Sequence, residues 1–244
     1  MTAVPAGPEA DERADRVLDS AAELLLRWGY RRVTIEDVAR HAGIGKGTVY
    51  LHFRTKDALF LTVLLRAGRR IFAELAERME GDPAVSLPWG MVRFVYELLQ
   101  GDDLARVLYL GDPEVLGRLA QEAAGTLGEL GRRRDEAVRE HFGLLRGAGL
   151  VATDLPLDEQ VHAYGAVTTG FFFAAGTPPE ADPFAPADPA RRAALLEHTL
   201  RSLLRGPADP AADPAAVTAL APSVAALYRP LVAHIDAEWQ RRAR

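Results

Sequence analysis

Residues 43–53, GIGKGTVYLHF, hold the densest chemistry in the chain: a lysine between two glycines, then a threonine, a tyrosine and a histidine. Glycines around Lys46 are what a phosphate-cradling loop uses, because bare backbone N–H groups can close on an anion. The same residues can instead form a short helix that offers polar side chains to a DNA groove while Val49 and Phe53 hold it down. The spacing separates the two. A phosphate loop of the Gly-Lys-Ser/Thr type puts the hydroxyl directly after the lysine and follows a strand. Here Gly47 intervenes between Lys46 and Thr48, and the preceding residues read as a helix. The pattern therefore favours a DNA-reading helix, residues 45–52, after a tight turn at Gly43 and Ile44.

Few other residues advertise chemistry. Glu159 and His162 have the Glu-x-x-His spacing that di-iron helical proteins use, but that site needs a second copy and two further glutamates, and no other Glu-x-x-His occurs. A surface pair is the better reading. The four serines (Ser20, Ser86, Ser202 and Ser223) lie outside any Gly-x-Ser-x-Gly, and there is no cysteine. No catalytic residue, metal site or cofactor is expected. An enzyme would have to use a site that the sequence does not display.

The elements that would position the 43–53 helix follow from apolar spacing. From Asp11 to Trp28, Val17, Leu18, Ala21, Leu24, Leu25 and Trp28 recur at three and four, an amphipathic helix closed by Gly29. Thr34 opens the next helix, with Asp37 three residues on, close to a capping box. Thr55 is a good cap for a helix of about six turns whose buried face would be Leu59, Val63, Leu64, Ala67, Ile71, Leu75 and Met79. Further helices are expected near 88–100, 103–110, 113–146, 157–175 and 190–205, with a last helical stretch towards the C-terminus. No alternating apolar run makes a convincing strand. The fold expected is all-α: a flexible arm over 1–10, a three-helix head over 11–57, a larger helical body over 58–206, and a linker with a helical extension over 207–244.

Charge is uneven along this order. The net charge is −5, yet residues 1–70 carry 12 Lys and Arg against 9 Asp and Glu, and both lysines of the chain fall there. A basic head on an acidic body suggests that the head meets an anion. No segment reaches the roughly 18 uninterrupted apolar residues of a membrane span and the N-terminus does not read as a signal peptide. The expectation is a cytoplasmic protein with no membrane partner.

Taken together, TIEDVARHAGIGKGTVYLHFRTKDALF resembles the N-terminal DNA-binding domain of TetR/AcrR-type transcriptional regulators: a Thr-led helix, an Ala-Gly turn, Gly-Thr-x-Tyr-x-His-Phe, then a Lys-Asp-x-Leu helix start. The likeness runs from Val17 to Leu65. Gly45 departs from it where the family has Ser, which removes a side-chain cap, and Leu51 is unusually apolar for a recognition helix. The resemblance implies that Thr34 and Lys56 hold phosphates, that Lys46, Gly47, Thr48 and Tyr50 face the groove, and that His52 contacts the backbone. Val38, Ala39, Ile44, Val49, Phe53 and Leu59 would form the small core.

It also implies a homodimer on a palindromic duplex, responding to a small molecule held in the body. Aromatic residues of the body, Trp89, Phe94, Tyr96, Tyr109 and Phe171, are the candidate pocket walls, which suits a hydrophobic or aromatic ligand. The small residues Ala163, Ala166, Gly170 and Ala174, with Leu196 and Leu203, are the candidate dimer seam. The function expected is a one-component regulator, acting as a repressor. The rival readings are a helical enzyme or carrier with a vestigial head, and a helical module that works through another protein.

Overall fold

The computed structural model describes the backbone of residues 8–110, 124–176, 182–206 and 213–242, and among these described residues ten α-helices account for most of the backbone. Side chains of 8–11, 108–110, 124, 127 and 241–242 are outside the described set. In chain order the helices are α1 (Pro8–Arg32), α2 (Ile35–His41), α3 (Lys46–His52), α4 (Lys56–Gly81), α5 (Pro88–Gln100), α6 (Asp103–Leu110), α7 (Ala124–Gly147), α8 (Leu157–Ala175), α9 (Pro189–Leu204) and α10 (Pro214–Arg242). Among the described residues the only pairing of extended backbone is an isolated bridge between Val151 and Arg205. The all-α expectation holds.

Two boundaries move. Helix α1 begins at Pro8, inside the expected arm; a proline in the first turn gives up no hydrogen bond, because the first N–H groups of a helix have no internal acceptor. Gly29, at φ 70° and ψ 158°, does break the helix as expected, and a short continuation carries Tyr30, Arg31 and Arg32. The expected helix over 113–146 is described only from Ala124, and the residues before it lie outside the described set.

Contacts divide the chain into two compact units that do not follow the expected cut at 57/58. In their described parts, one unit takes in the chain through Gly68, the segment Asp103–Gly128 and the chain from His234; the other comprises Arg69–Asp102 and Glu129–Ala233. The first unit is organised around α1 and the N-terminal half of α4. Val17, Leu18, Ala21 and Leu25 of α1 are fully buried, as are Leu59, Val63 and Leu64 of α4. Arg66 of α4 ties the two helices on the surface, 2.5 Å from Asp19. Helix α6 also packs on α1.

In the second unit, α5 lies on α9. Trp89, Val92, Tyr96 and Leu99 of α5 and Ala193, Leu196, Leu200 and Leu204 of α9 are all buried, stripes at the helical spacing that each bury one face. Arg93 closes the edge, bonding Glu197 of α9 at 2.7 Å and Glu97 at 2.9 Å. Helix α8 turns Gln160, Tyr164, Thr168 and Phe172 inward.

Helix α10 meets a membrane span's requirements by length and composition over Pro214–Gln240. Its Val224, Tyr228 and Leu231 are nonetheless buried in the protein. Tyr228 donates to Nδ1 of the fully buried His141 at 2.9 Å, while Nε2 of His141 donates to the Ser86 carbonyl at 2.7 Å. Burial pushes His141 down to about 4, so the ring is neutral at neutral pH.

Candidate nucleic-acid interface

The angle between α2 and α3 is set by local chemistry at each joint. Thr34 caps α2: its hydroxyl accepts from the Asp37 N–H at 3.1 Å, and the Asp37 carboxylate accepts from the Thr34 N–H at 3.0 Å and from the Thr34 hydroxyl at 2.6 Å. This is the reciprocal arrangement that satisfies two orphan helix-end donors. At the other end, Gly43 takes φ 68°, a left-handed conformation in which a side chain would be strained. The turn then closes with the Ile44 N–H on the Ala39 carbonyl at 3.0 Å. Gly45 caps α3 through backbone alone, with no side-chain bond. That matches the missing hydroxyl noted in the sequence.

Beneath the turn sits the expected core. Val38, Val49 and Leu59 are fully buried, Ala39 and Phe53 nearly so, and Ile44 is half-buried. With Val49 facing inward, α3 presents Lys46, Gly47, Tyr50 and Leu51 to solvent, while Thr48 and His52 are half-buried. Of the sequence-predicted groove residues, Lys46, Gly47 and Tyr50 share this exposed face, whereas Thr48 is half-buried at its edge.

The two lysines are engaged within the unit. Lys46 donates to the Glu36 carboxylate of α2 and lies 5.7 Å from the centroid of the Tyr50 ring. The bond to Lys46 holds the Glu36 carboxyl below its ordinary value, and the same bond raises Lys46. Lys56 donates to the Tyr30 carbonyl, with its ammonium 4.1 Å from the centroid of the Tyr30 ring. It is half-buried, and so more a strut between α1 and α4 than a free phosphate ligand. Thr34, expected at a phosphate, has its hydroxyl and its N–H both committed to Asp37.

Three cations that sequence reasoning passed over are better placed for an anion. Arg31 and Arg32 precede the cap of α2, and Arg54 follows α3; all three are exposed, and none has an ion-pair partner among the described residues. Their signal was proximity in sequence to the two helix joints.

Elsewhere the candidate residues sort by face. Trp89 and Tyr96 are buried, and Phe94 and Phe171 are half-buried. The ring against Tyr96 is that of Phe172, at 5.2 Å; successive helix residues are about 100° apart, so the inward stripe through Tyr164 and Thr168 reaches Phe172 rather than Phe171. The side chain of Tyr109 is outside the described residues. Leu196 is fully buried within its own unit. It belongs to the α9 stripe that packs on α5, which removes it from a seam facing a second copy. Ala166, Gly170, Ala174 and Leu203 are exposed and Ala163 is half-buried, with Phe173 at 72% and Leu195 at 44% exposure on the same two helices. Glu159 and His162 are both exposed.

Comparison with known proteins agrees with this geometry. The family model for bacterial regulatory proteins of the tetR family matches residues 17–63. The chain is 30% identical over 128 residues to the A-factor receptor protein of Streptomyces griseus, covering 49% of this chain and 44% of that protein. It is 29% identical over 92 residues to the HTH-type transcriptional regulator EthR of Mycolicibacterium smegmatis, covering 36% and 42%. The chain thus spans less than half the length of these curated relatives. In fold it is similar to NalD, the secondary repressor of the MexAB-OprM multidrug efflux pump in Pseudomonas aeruginosa, with TM-score 0.58 and 21% identity over 82% of this chain and 98% of that one. With α2, the Gly43 turn and α3 inside the matched segment, residues 17–63 are similar to the DNA-binding domain of the tetR family of bacterial regulatory proteins.

Proposed function

We propose that the chain is a one-component repressor that binds a palindromic operator as a homodimer and is released by a small hydrophobic or aromatic ligand. One observation carries the DNA half of this reading: α3, seated by Val49 and Phe53, exposes Lys46, Gly47, Tyr50 and Leu51 on one face beside the exposed Arg54. A helix of this kind enters the major groove while neighbouring cations hold phosphates. The exposed apolar and small residues of α8 and α9 support the dimer, since two copies of such a face can approach closely. For the ligand, the support is the aromatic content of α5 and α8, where Trp89, Phe94, Tyr96 and Phe171, joined by Phe172, supply apolar walls. That the Streptomyces griseus relative is named a receptor supports ligand sensing, without bearing on the ligand's chemistry.

The test is selection of duplexes from a random pool by the full-length protein, followed by affinity measurements across salt concentrations. Enrichment of a palindrome, bound with a steep salt dependence, supports the reading; no enrichment favours a helical enzyme or carrier with a vestigial head. A releasing compound must bind the DNA-free protein more tightly by the factor by which it weakens operator binding. A hundredfold effect corresponds to about 2.7 kcal/mol of unequal affinity.

A further inference from the structure

Leu51 is 83% exposed. It sits on α3 one turn after Gly47, so the two positions lie one above the other on the outer face. The head does not need Leu51, whose side chain stands in water while Val49 anchors the helix. Nor does the fold require glycine at 47. A Cβ added there would meet nothing within 4 Å, and its φ is not positive, whereas helix propensity disfavours glycine. Gly47 thus leaves open space beside the exposed aliphatic side chain of Leu51, on a helix that carries Lys46 in its first turn and is followed two residues after its end by the exposed Arg54.

We propose that Leu51, beside the bare position 47, packs on the 5-methyl group of a thymine in the operator, so that Leu51 specifies a thymine at one position of each half-site. The proposal rests on the DNA-binding reading above. Of the four base-pair edges shown in the major groove, only those containing thymine present a methyl group. An aliphatic side chain has nothing to offer the donors and acceptors of the other bases. Lys46 and Arg54, towards the two ends of α3, suit phosphates, and the proposed occupant is duplex DNA.

The experiment uses the duplex selected by the full-length protein, with each thymine replaced singly by uracil, a change that removes the methyl and nothing else. At one thymine per half-site, uracil lowers the affinity of the unmodified protein about fourfold, the effect of about one buried methyl group. In Leu51→Ala the same uracil has no effect, while Leu51→Met, which keeps an apolar reach, retains a penalty. Both variants melt at the temperature of the parent, because the side chain is exposed. A selected duplex in which no uracil matters, or in which the penalty persists in Leu51→Ala, overturns this inference and leaves DNA binding intact. Failure to select any duplex overturns both.

Discussion

The ammonium of Lys56 lies 4.1 Å from the centroid of the Tyr30 ring and donates to the carbonyl oxygen of the same residue, while the Tyr30 hydroxyl donates to Asp57. Tyr30 follows the break at Gly29, and Lys56 and Asp57 begin α4. These contacts therefore lock the end of α1 to the start of α4. Lys56→Ala is expected to destabilise the protein by about 1–2 kcal/mol, the scale of a partly buried cation–π contact with a hydrogen bond. The comparison is with Arg54→Ala, which should leave the melting temperature unchanged but flatten the salt dependence of DNA binding by about one unit. If Lys56→Ala melts like the parent and Arg54→Ala alone is unstable, the assignment is reversed.

Glu36 pairs its carboxylate with Lys46, on the face proposed to meet DNA. An exposed ion pair adds little to stability, so its main consequence is to offset the lysine's charge. Glu36→Gln is expected to bind all duplexes more tightly and to steepen the salt dependence, with Lys46→Ala doing the opposite, each by about one unit of slope. Titrations at several salt concentrations decide it, and an unchanged slope in both variants removes Lys46 from the phosphates.

Replacing Thr48 or Tyr50 should act differently from either lysine. If these side chains meet base edges, their loss costs on the order of 1–3 kcal/mol at particular base pairs and relaxes preference there. A uniform loss across all sequences would instead assign them to the DNA backbone.

Ala166 and Leu203 are exposed on α8 and α9. The double variant Ala166→Arg, Leu203→Arg is expected to sediment as a monomer with little operator affinity, since charges buried in a seam without partners are costly. Dimers that persist would place the seam elsewhere, the outer face of α10 being the next surface to vary. Leu196→Arg would be uninformative, because that residue is buried within its own unit.

His141 links pH to stability. Its folded value is pushed down to about 4 by burial, whereas in the unfolded chain it titrates near 6.5. Between these values the unfolded chain binds the extra proton. Stability is therefore complete above about pH 6.5 and falls as pH drops towards 4, by up to about 3 kcal/mol from this group. Chemical unfolding at pH 7 and pH 4.5 should show the loss, and His141→Gln should show a smaller difference between the two.

Local features of the head were legible in the residues. Thr34 with Asp37 is a capping box in sequence and in structure, the Gly43 turn needs the φ of 68° that glycine allows, and Thr55 caps α4 by accepting from the Ala58 N–H at 3.0 Å. Each depends on residues within a few positions of one another, so composition and spacing suffice. The buried face of α4 was legible for the same reason: Leu59, Val63, Leu64, Ala67, Ile71, Leu75 and Met79 share one side of a regular helix and all are buried.

What needed the tertiary structure was the rotation and pairing of distant segments. Periodicity shows that a helix has an inner face, but one residue turns it by about 100°; only packing decided that Phe172 meets Tyr96 and that Leu196 points into its own unit. Ion pairs between helices are equally invisible along the chain. Lys46 and Glu36 are ten residues apart, and Lys56 and Tyr30 twenty-six. A lysine's position in sequence shows that a cation is present, whereas the backbone path shows whether a carboxylate or a ring reaches it before a phosphate can. The His141 environment is the extreme case: its partner Tyr228 is 87 residues away, and its ionisation is governed by the packing that excludes water around it.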